Sequence, residues 1–106
     1  MQKYMIKVSY TREGIAGVIA EGGSGRRDMV AKLVAGLGGT VEAFYFAFGE
    51  KDVYVIADLP DAESAAAIGM TVAASGAATT ETVVLLDPEQ IDKAAKISVD
   101  YRKPGA

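Results

Sequence analysis

Alternating apolar side chains along the chain predict four β-strands. Successive residues of a strand point to opposite faces, so alternation marks a segment with one buried side. The first such segment places Tyr4, Ile6 and Val8 on one side and Met5 and Lys7 on the other. Glycine, proline and acidic residues bound the later segments, which are rich in branched and aromatic side chains. The predicted strands cover residues 4–10, 40–48, 53–59 and 78–86.

Apolar residues at helical spacing predict two long helices between these strands. The first covers residues 26–37, with Ser24 as its N-cap and Gly38 as its left-handed stop. The second takes Asp61 as its N-cap and runs to about Ser75. Because this second helix consists largely of alanine, its small side chains let it lie close to the sheet.

Two shorter helical segments complete the pattern. Residues 14–21 have apolar positions at helical spacing, but the glycines among them favour only a short turn. Asp87 and Pro88 open a last helix, in which Asp87 and Gln90 resemble a capping box. From Ile97 onwards the chain is either a frayed end or an arm with strand-like alternation.

The order of the main elements is strand, helix, strand, strand, helix, strand, which is the ferredoxin-like pattern. Right-handed crossovers place both long helices on one face of an antiparallel sheet. We therefore predict one α+β domain over residues 1–106. It has a ferredoxin-like βαββαβ fold, with a four-stranded antiparallel sheet, two helices on one face and a short C-terminal helix.

The sheet face that these helices leave uncovered is expected to be apolar. A water-facing side is normally polar at every second position, yet three of the four strands are apolar on both sides. Such a patch exceeds what a soluble monomer usually exposes. We predict a homo-oligomer, most simply a two-fold dimer packed sheet to sheet, with Phe44, Phe46 and Phe48 at the interface. The alternative is a monomer whose C-terminal helix or tail folds over this face.

Composition excludes several classes of site and partner. The chain has no Cys and no His, which removes the usual zinc, haem and iron–sulfur sites and every His-based mechanism. We expect no metal and no cofactor. A net charge of -3 argues against nucleic-acid binding. No apolar run approaches the roughly 20 residues of a membrane span, and no secretory pattern opens the chain, so we expect a cytoplasmic protein.

Several short segments resemble the GYD domain family over about residues 4–95. They are Arg26–Asp28, Leu37–Gly39, Phe44–Asp52, Leu59–Asp61 and Thr80–Thr82. The resemblance implies a ferredoxin-like fold and a dimeric α/β-barrel type of assembly, and it implies no particular reaction. Lys51 stands where the family has its namesake tyrosine, so any chemical role of that tyrosine is absent here.

A few side chains could bind a small molecule. A phenol in an apolar sheet could orient a ligand, an arginine at a helix start suits an anion, and carboxylates can exchange protons. The candidates are Tyr10, Arg26, Glu50, Asp52, Tyr54 and Asp58. Each also has a structural explanation: tyrosines belong to cores and interfaces, arginines to surfaces, and acidic hairpins to solvated turns. No catalytic residue is assigned.

Three functional hypotheses follow from these observations. The first is a binding or structural module that assembles with itself. The second is a cofactor-free enzyme or small-molecule binder with its site between sheet and helices. The third is a regulatory subunit that binds another protein through its aromatic edge strand.

Overall fold

The computed structural model describes residues 1–106 and confirms an α+β fold. Four strands form one sheet in the order β2-β3-β1-β4, and every neighbouring pair is antiparallel, consistent with the ferredoxin-like pattern. The elements are β1 (Gln2–Tyr10), α1 (Arg12–Glu21), α2 (Gly23–Gly36), β2 (Thr40–Phe46), β3 (Val53–Leu59), α3 (Ala62–Ser75), β4 (Ala78–Leu85) and α4 (Pro88–Ala95).

Three of the four helices begin with a side-chain cap, as their sequences favour. Asp61 accepts a hydrogen bond from the Ser64 amide at 2.8 Å, and α3 ends at Gly76 in the left-handed conformation. Asp87 and Gln90 form a complete capping box at the start of α4. Both features confirm the prediction from sequence. Capping also lowers the pKa of the Asp61 carboxyl, because the carboxylate accepts the Ser64 hydrogen bonds.

The region between β1 and β2 differs from the prediction. Thr11 caps α1, which is a complete helix of 10 residues rather than a short turn. The break falls at Gly22, whose φ of 88° few other residues adopt, so α2 starts at Gly23 and Ser24 lies inside the helix. Two consecutive helices therefore occupy the first crossover of the fold.

The core lies between the sheet and its helices and is thin. Only 11 of 106 residues are buried, so most side chains retain contact with solvent. β3 is the most buried strand, since all four of its helix-facing residues are enclosed. The core residues are Tyr4, Ile6, Val34, Val53, Val55, Ala57, Leu59, Ala65 and Ile68.

Residues 87–106, which we call the arm, project from this core. The radius of gyration is 16.9 Å, whereas a compact domain of this length has about 13 Å. Every residue from 91 to 106 is exposed, so the arm does not form a packed cover over the sheet. None of the four helices combines the length and apolarity needed to cross a membrane.

The close approach of α1 to the start of β4 depends on Gly14. A Cβ atom at this position would lie 1.8 Å from the backbone oxygen of Ala77. We expect Gly14→Ala to destabilise the fold by about 3 kcal/mol, because α1 must move away. Gly17→Ala, in the same helix with open space around it, should instead stabilise by about 0.5–1 kcal/mol.

Urea unfolding of both variants at one fixed protein concentration measures this difference. Equal stabilities for Gly14→Ala and Gly17→Ala would contradict the proposed close packing.

Candidate functional site

Cross-strand register places one apolar row across the uncovered face of the sheet. Ile56 lies opposite Met5 on one side and Ala43 on the other, and Met5 lies opposite Val83. All four strands thus contribute one residue to this row, which we call the central row. No helix covers it, and its members are only partly shielded by their neighbours.

Two ionic clusters flank the central row, one at each end of the strands. At one end, the Lys3 ammonium lies 2.7 Å from Glu42 and 3.1 Å from Asp58, a cluster with a net charge of -1. Hydrogen bonds to Glu42 and Asp58 raise the pKa of Lys3. Because both acids flank one ammonium, this end of the face carries an excess of negative charge.

The cluster at the other end has the opposite sign. Glu81 lies 3.6 Å from the Lys7 ammonium and 3.5 Å from that of Lys51, which gives a net charge of +1. Residues two positions apart along a strand lie in successive rows of the same face and are separated by roughly 7 Å. The face therefore combines an apolar centre with a negative and a positive flank.

The three phenylalanines lie elsewhere. Phe44 and Phe46 sit opposite Val55 and Val53 on the helix-covered side, and their rings meet edge to face at 5.5 Å. Phe48 lies beyond the end of β2 and is fully exposed. Their role at an interface stays a prediction, but Phe44 and Phe46 do not belong to the open face.

A β-bulge accounts for part of this arrangement. The register shifts between Val41 and Ala43, so Val41 and Phe44 both face the helices although they are three residues apart. The ion pair with Lys3 places Glu42 on the open side, beside Ala43. Strict alternation along β2 would therefore assign Val41 to the open face, whereas Val41 faces the helices.

A cavity of about 260 Å³ lies on the opposite, helix-covered side of the sheet. Its floor is formed by β1 and β3, with Phe44 and the start of β4 at the sides. Helices α1, α2 and α3 form its roof. The apolar lining residues include Ile6, Val8, Val18, Val30, Leu33, Phe44, Val53, Val55, Ile68 and Val72.

Small residues leave this space unfilled. Gly14 and Gly17 present no side chain from α1, and Ala77 and Ala78 present only methyl groups from the start of β4. Several lining residues of α1, namely Glu13, Gly17 and Glu21, are exposed, so the cavity opens to solvent.

Several polar side chains line the cavity, and Ser75 and Thr80 are among them. Tyr10 and Arg26 line it together with Glu13 and Glu21 of α1. The Arg26 guanidinium is only weakly paired, at 4.0 Å from Glu21. Burial raises the pKa of the Tyr10 hydroxyl above its ordinary value, and the nearby Arg26 only partly opposes this shift.

The structure brings together some of the candidate binding residues and separates others. Tyr10 and Arg26 share the cavity, and Asp52 lies beside them because its carboxylate accepts a hydrogen bond from the Tyr10 amide at 2.8 Å. Tyr54 and Asp58 are on the other face of the sheet. Glu50 is exposed in the hairpin loop.

Sequence reasoning did not single out Glu13, Glu21 or Val18 as cavity residues. They line the cavity only because α1 is a full helix folded over the end of β1. The Thr11 cap was a signal for that helix, since its hydroxyl accepts the Gly14 amide. No group of three acidic side chains in the fold is arranged to hold a metal ion.

Comparison with protein families assigns most of the chain to one known domain. The family model for the GYD domain matches residues 4–95, which run from β1 to the end of α4. The chain belongs to the GYD domain family. No curated protein and no solved structure matches it significantly. In this GYD domain Lys51 contributes its ion pair with Glu81 to the positive flank.

The hairpin of this GYD domain is tied to β1 by Asp52. Its amide donates to the Val8 carbonyl at 2.9 Å, and its carboxylate accepts the Tyr10 amide. We expect Asp52→Ala to destabilise by about 1.5–3 kcal/mol, because a backbone donor loses a charged acceptor. Glu50→Ala, two residues away and exposed, should stay within about 0.5 kcal/mol. Chemical denaturation checks this pair, and an equal loss in both variants would contradict the assigned role.

The raised pKa of Tyr10 makes the stability of the GYD domain depend on alkaline pH. The unfolded phenol ionises near its ordinary value of 10.0, whereas the folded one keeps its proton to higher pH. The contribution of this pKa difference to the free energy of unfolding is therefore fully present below about pH 10. It is lost as the pH rises through the pKa of the folded state. Tyr10→Phe should remove this loss, and Tyr45→Phe, at an exposed position, should retain it. Melting temperatures across this pH range measure the effect, and identical profiles for both variants would refute it.

Proposed function

We propose that this GYD domain is a self-assembling binding module and that the partner of its open sheet face is a second copy of the chain. The observation that carries the proposal is the central row, an apolar line that crosses all four strands where no helix covers them. Pairing two such rows removes apolar surface from water on both copies at once. A cytoplasmic location, expected from the sequence, stays a prediction.

The flanking charges favour one orientation of this pairing. A two-fold axis along the central row places the negative flank of one copy, built on Glu42, against the positive flank of the other, built on Lys51. An axis parallel to the strands would instead place like flanks together. Since opposite charges attract and like charges opposed across an interface cost free energy, the first orientation is favoured.

The extended shape of the chain supports assembly. The arm exposes several apolar side chains that a single copy leaves uncovered; they are Ile91, Ile97, Val99 and Tyr101. Contact with a second copy would shield such residues. No reaction is assigned to the module.

Ile56→Asp tests the role of the central row. A carboxylate at its centre should abolish the dimer, because it would be buried without a partner. Ile19→Asp is the matched control: Ile19 is 80 % exposed and lies on α1, on the covered side. Native mass spectrometry should give a dimer for the wild type and for Ile19→Asp, and a monomer for Ile56→Asp. A wild-type monomer, or a dimeric Ile56→Asp, would contradict the proposal.

Charge reversal tests the orientation. Glu42→Lys makes both flanks positive and Lys51→Glu makes both negative, so each single variant should weaken the dimer about tenfold or more in Kd. The double variant restores opposite signs and should recover the wild-type Kd. With the other axis, the wild type and all three variants would each place like charges together, so none of the variants should change the Kd appreciably. Sedimentation equilibrium at low salt distinguishes the two patterns.

A further inference from the structure

The cavity beneath the helices is not used by the proposed assembly. Its floor consists of residues that point away from the central row, since neighbouring positions such as Val55 and Ile56 face opposite sides of the sheet. Its lining is mainly aliphatic, with Tyr10 and Arg26 close together and with Ser75 and Thr80 as further polar residues. Concave, largely apolar sites with a few convergent polar groups are typical of small-molecule sites.

We propose that this cavity binds an uncharged, mainly apolar small molecule, larger than benzene, whose one oxygen-bearing end lies against Tyr10 and Arg26. Three properties of the cavity lead to this class of ligand: its volume, the charges around Tyr10 and Arg26, and the donors found there.

The volume of the cavity sets the size of the ligand. An engineered protein cavity of about 150 Å³, lined by similar aliphatic and aromatic side chains, stays dry and binds benzene. The cavity here has about 260 Å³. It therefore has room for a molecule of roughly two fused rings, and its lining offers such a molecule branched aliphatic contacts along with the ring of Phe44.

The charges around Tyr10 and Arg26 disfavour an anion. Glu21 lies 4.0 Å from the Arg26 guanidinium, and both Glu21 and Asp52 lie close enough to Tyr10 to act on its hydroxyl, so two carboxylates and one guanidinium are grouped there. The Asp52 carboxylate lies just beyond, on the amide of Tyr10. A carboxylate or phosphate on the ligand would meet this net negative charge in a partly buried setting, which is unfavourable.

The available donors favour an oxygen acceptor. Tyr10 stays protonated in the physiological range, because burial disfavours its ionised form, so its hydroxyl can donate a hydrogen bond. The Arg26 guanidinium, weakly paired at 4.0 Å, has further N–H groups to offer. A hydroxyl or carbonyl oxygen on the ligand can accept from both.

Three matched probes test the proposal on the full chain. 2-Naphthol carries the neutral oxygen, naphthalene lacks it, and 2-naphthoate carries a carboxylate on the same rings. We expect 2-naphthol to bind most tightly, naphthalene about tenfold more weakly, and 2-naphthoate more weakly still, as measured by isothermal titration calorimetry at neutral pH. Tightest binding of 2-naphthoate would overturn the assignment of an uncharged ligand. Binding of none of the three would overturn the cavity as their site.

Two variants test whether the probe binds in the cavity and where its oxygen lies. Tyr10→Phe should weaken 2-naphthol about tenfold and leave naphthalene unchanged, because only the hydroxyl is removed. Val72→Phe, which fills the cavity from α3, should abolish binding of both. Met70→Phe is its control on the same helix, at a position that is 73 % exposed, and should bind as the wild type does.

Measuring both mass and ligand binding distinguishes a ligand site in the cavity from assembly through the open face. Val72→Phe should keep the dimeric mass, and Ile56→Asp should still bind 2-naphthol, since the two surfaces lie on opposite faces. If Val72→Phe fails to fold, the order of the three probes on the wild type and on Tyr10→Phe still decides the question. Unchanged 2-naphthol affinity in Tyr10→Phe would overturn the placement of the oxygen.

Discussion

The helices that contact the sheet pack on only one of its faces, and this asymmetry determines the rest of the molecule. Right-handed crossovers leave no other arrangement for a chain that alternates strands and helices in this order. One face therefore acquires a core, and the other is left with whatever side chains alternation provides. In this GYD domain alternation provides Met5, Ile56 and Val83 across the middle, where a monomer would need polar residues.

The covered face is shaped by small residues as much as by large ones. Gly14 lets α1 approach the backbone at Ala77, and Gly39 allows the turn after α2 to approach the Asp58 carbonyl, where a Cβ would lie at 2.3 Å. These close contacts hold the helices at both ends of the sheet. Between them the side chains of α1 are too small to fill the interior, and the cavity is the result.

Much of the fold could be predicted from sequence because its signals are local. β3 has the predicted bounds, since polar residues and Pro60 delimit a clean alternation. The length of α1 was underestimated because its glycines weaken a helix in isolation. In the fold, packing of α1 against Ala77 outweighs that cost. The bulge at Glu42 leaves no mark in the alternation, so the facing of β2 could not be predicted. Tyr10 and Arg26 were identified separately, and only the tertiary fold places them in one cavity.

The two candidate surfaces share the same two strands. Along β1 and β3, Ile6 and Val55 belong to the cavity floor, whereas Met5 and Ile56 belong to the central row. A shift of either strand by a fraction of an ångström changes both surfaces, because packed interiors transmit such displacements. Asp52 fixes the end of β1, since its amide donates to the Val8 carbonyl and its carboxylate accepts the Tyr10 amide. A ligand in the cavity therefore contacts side chains of the same two strands that carry the central row.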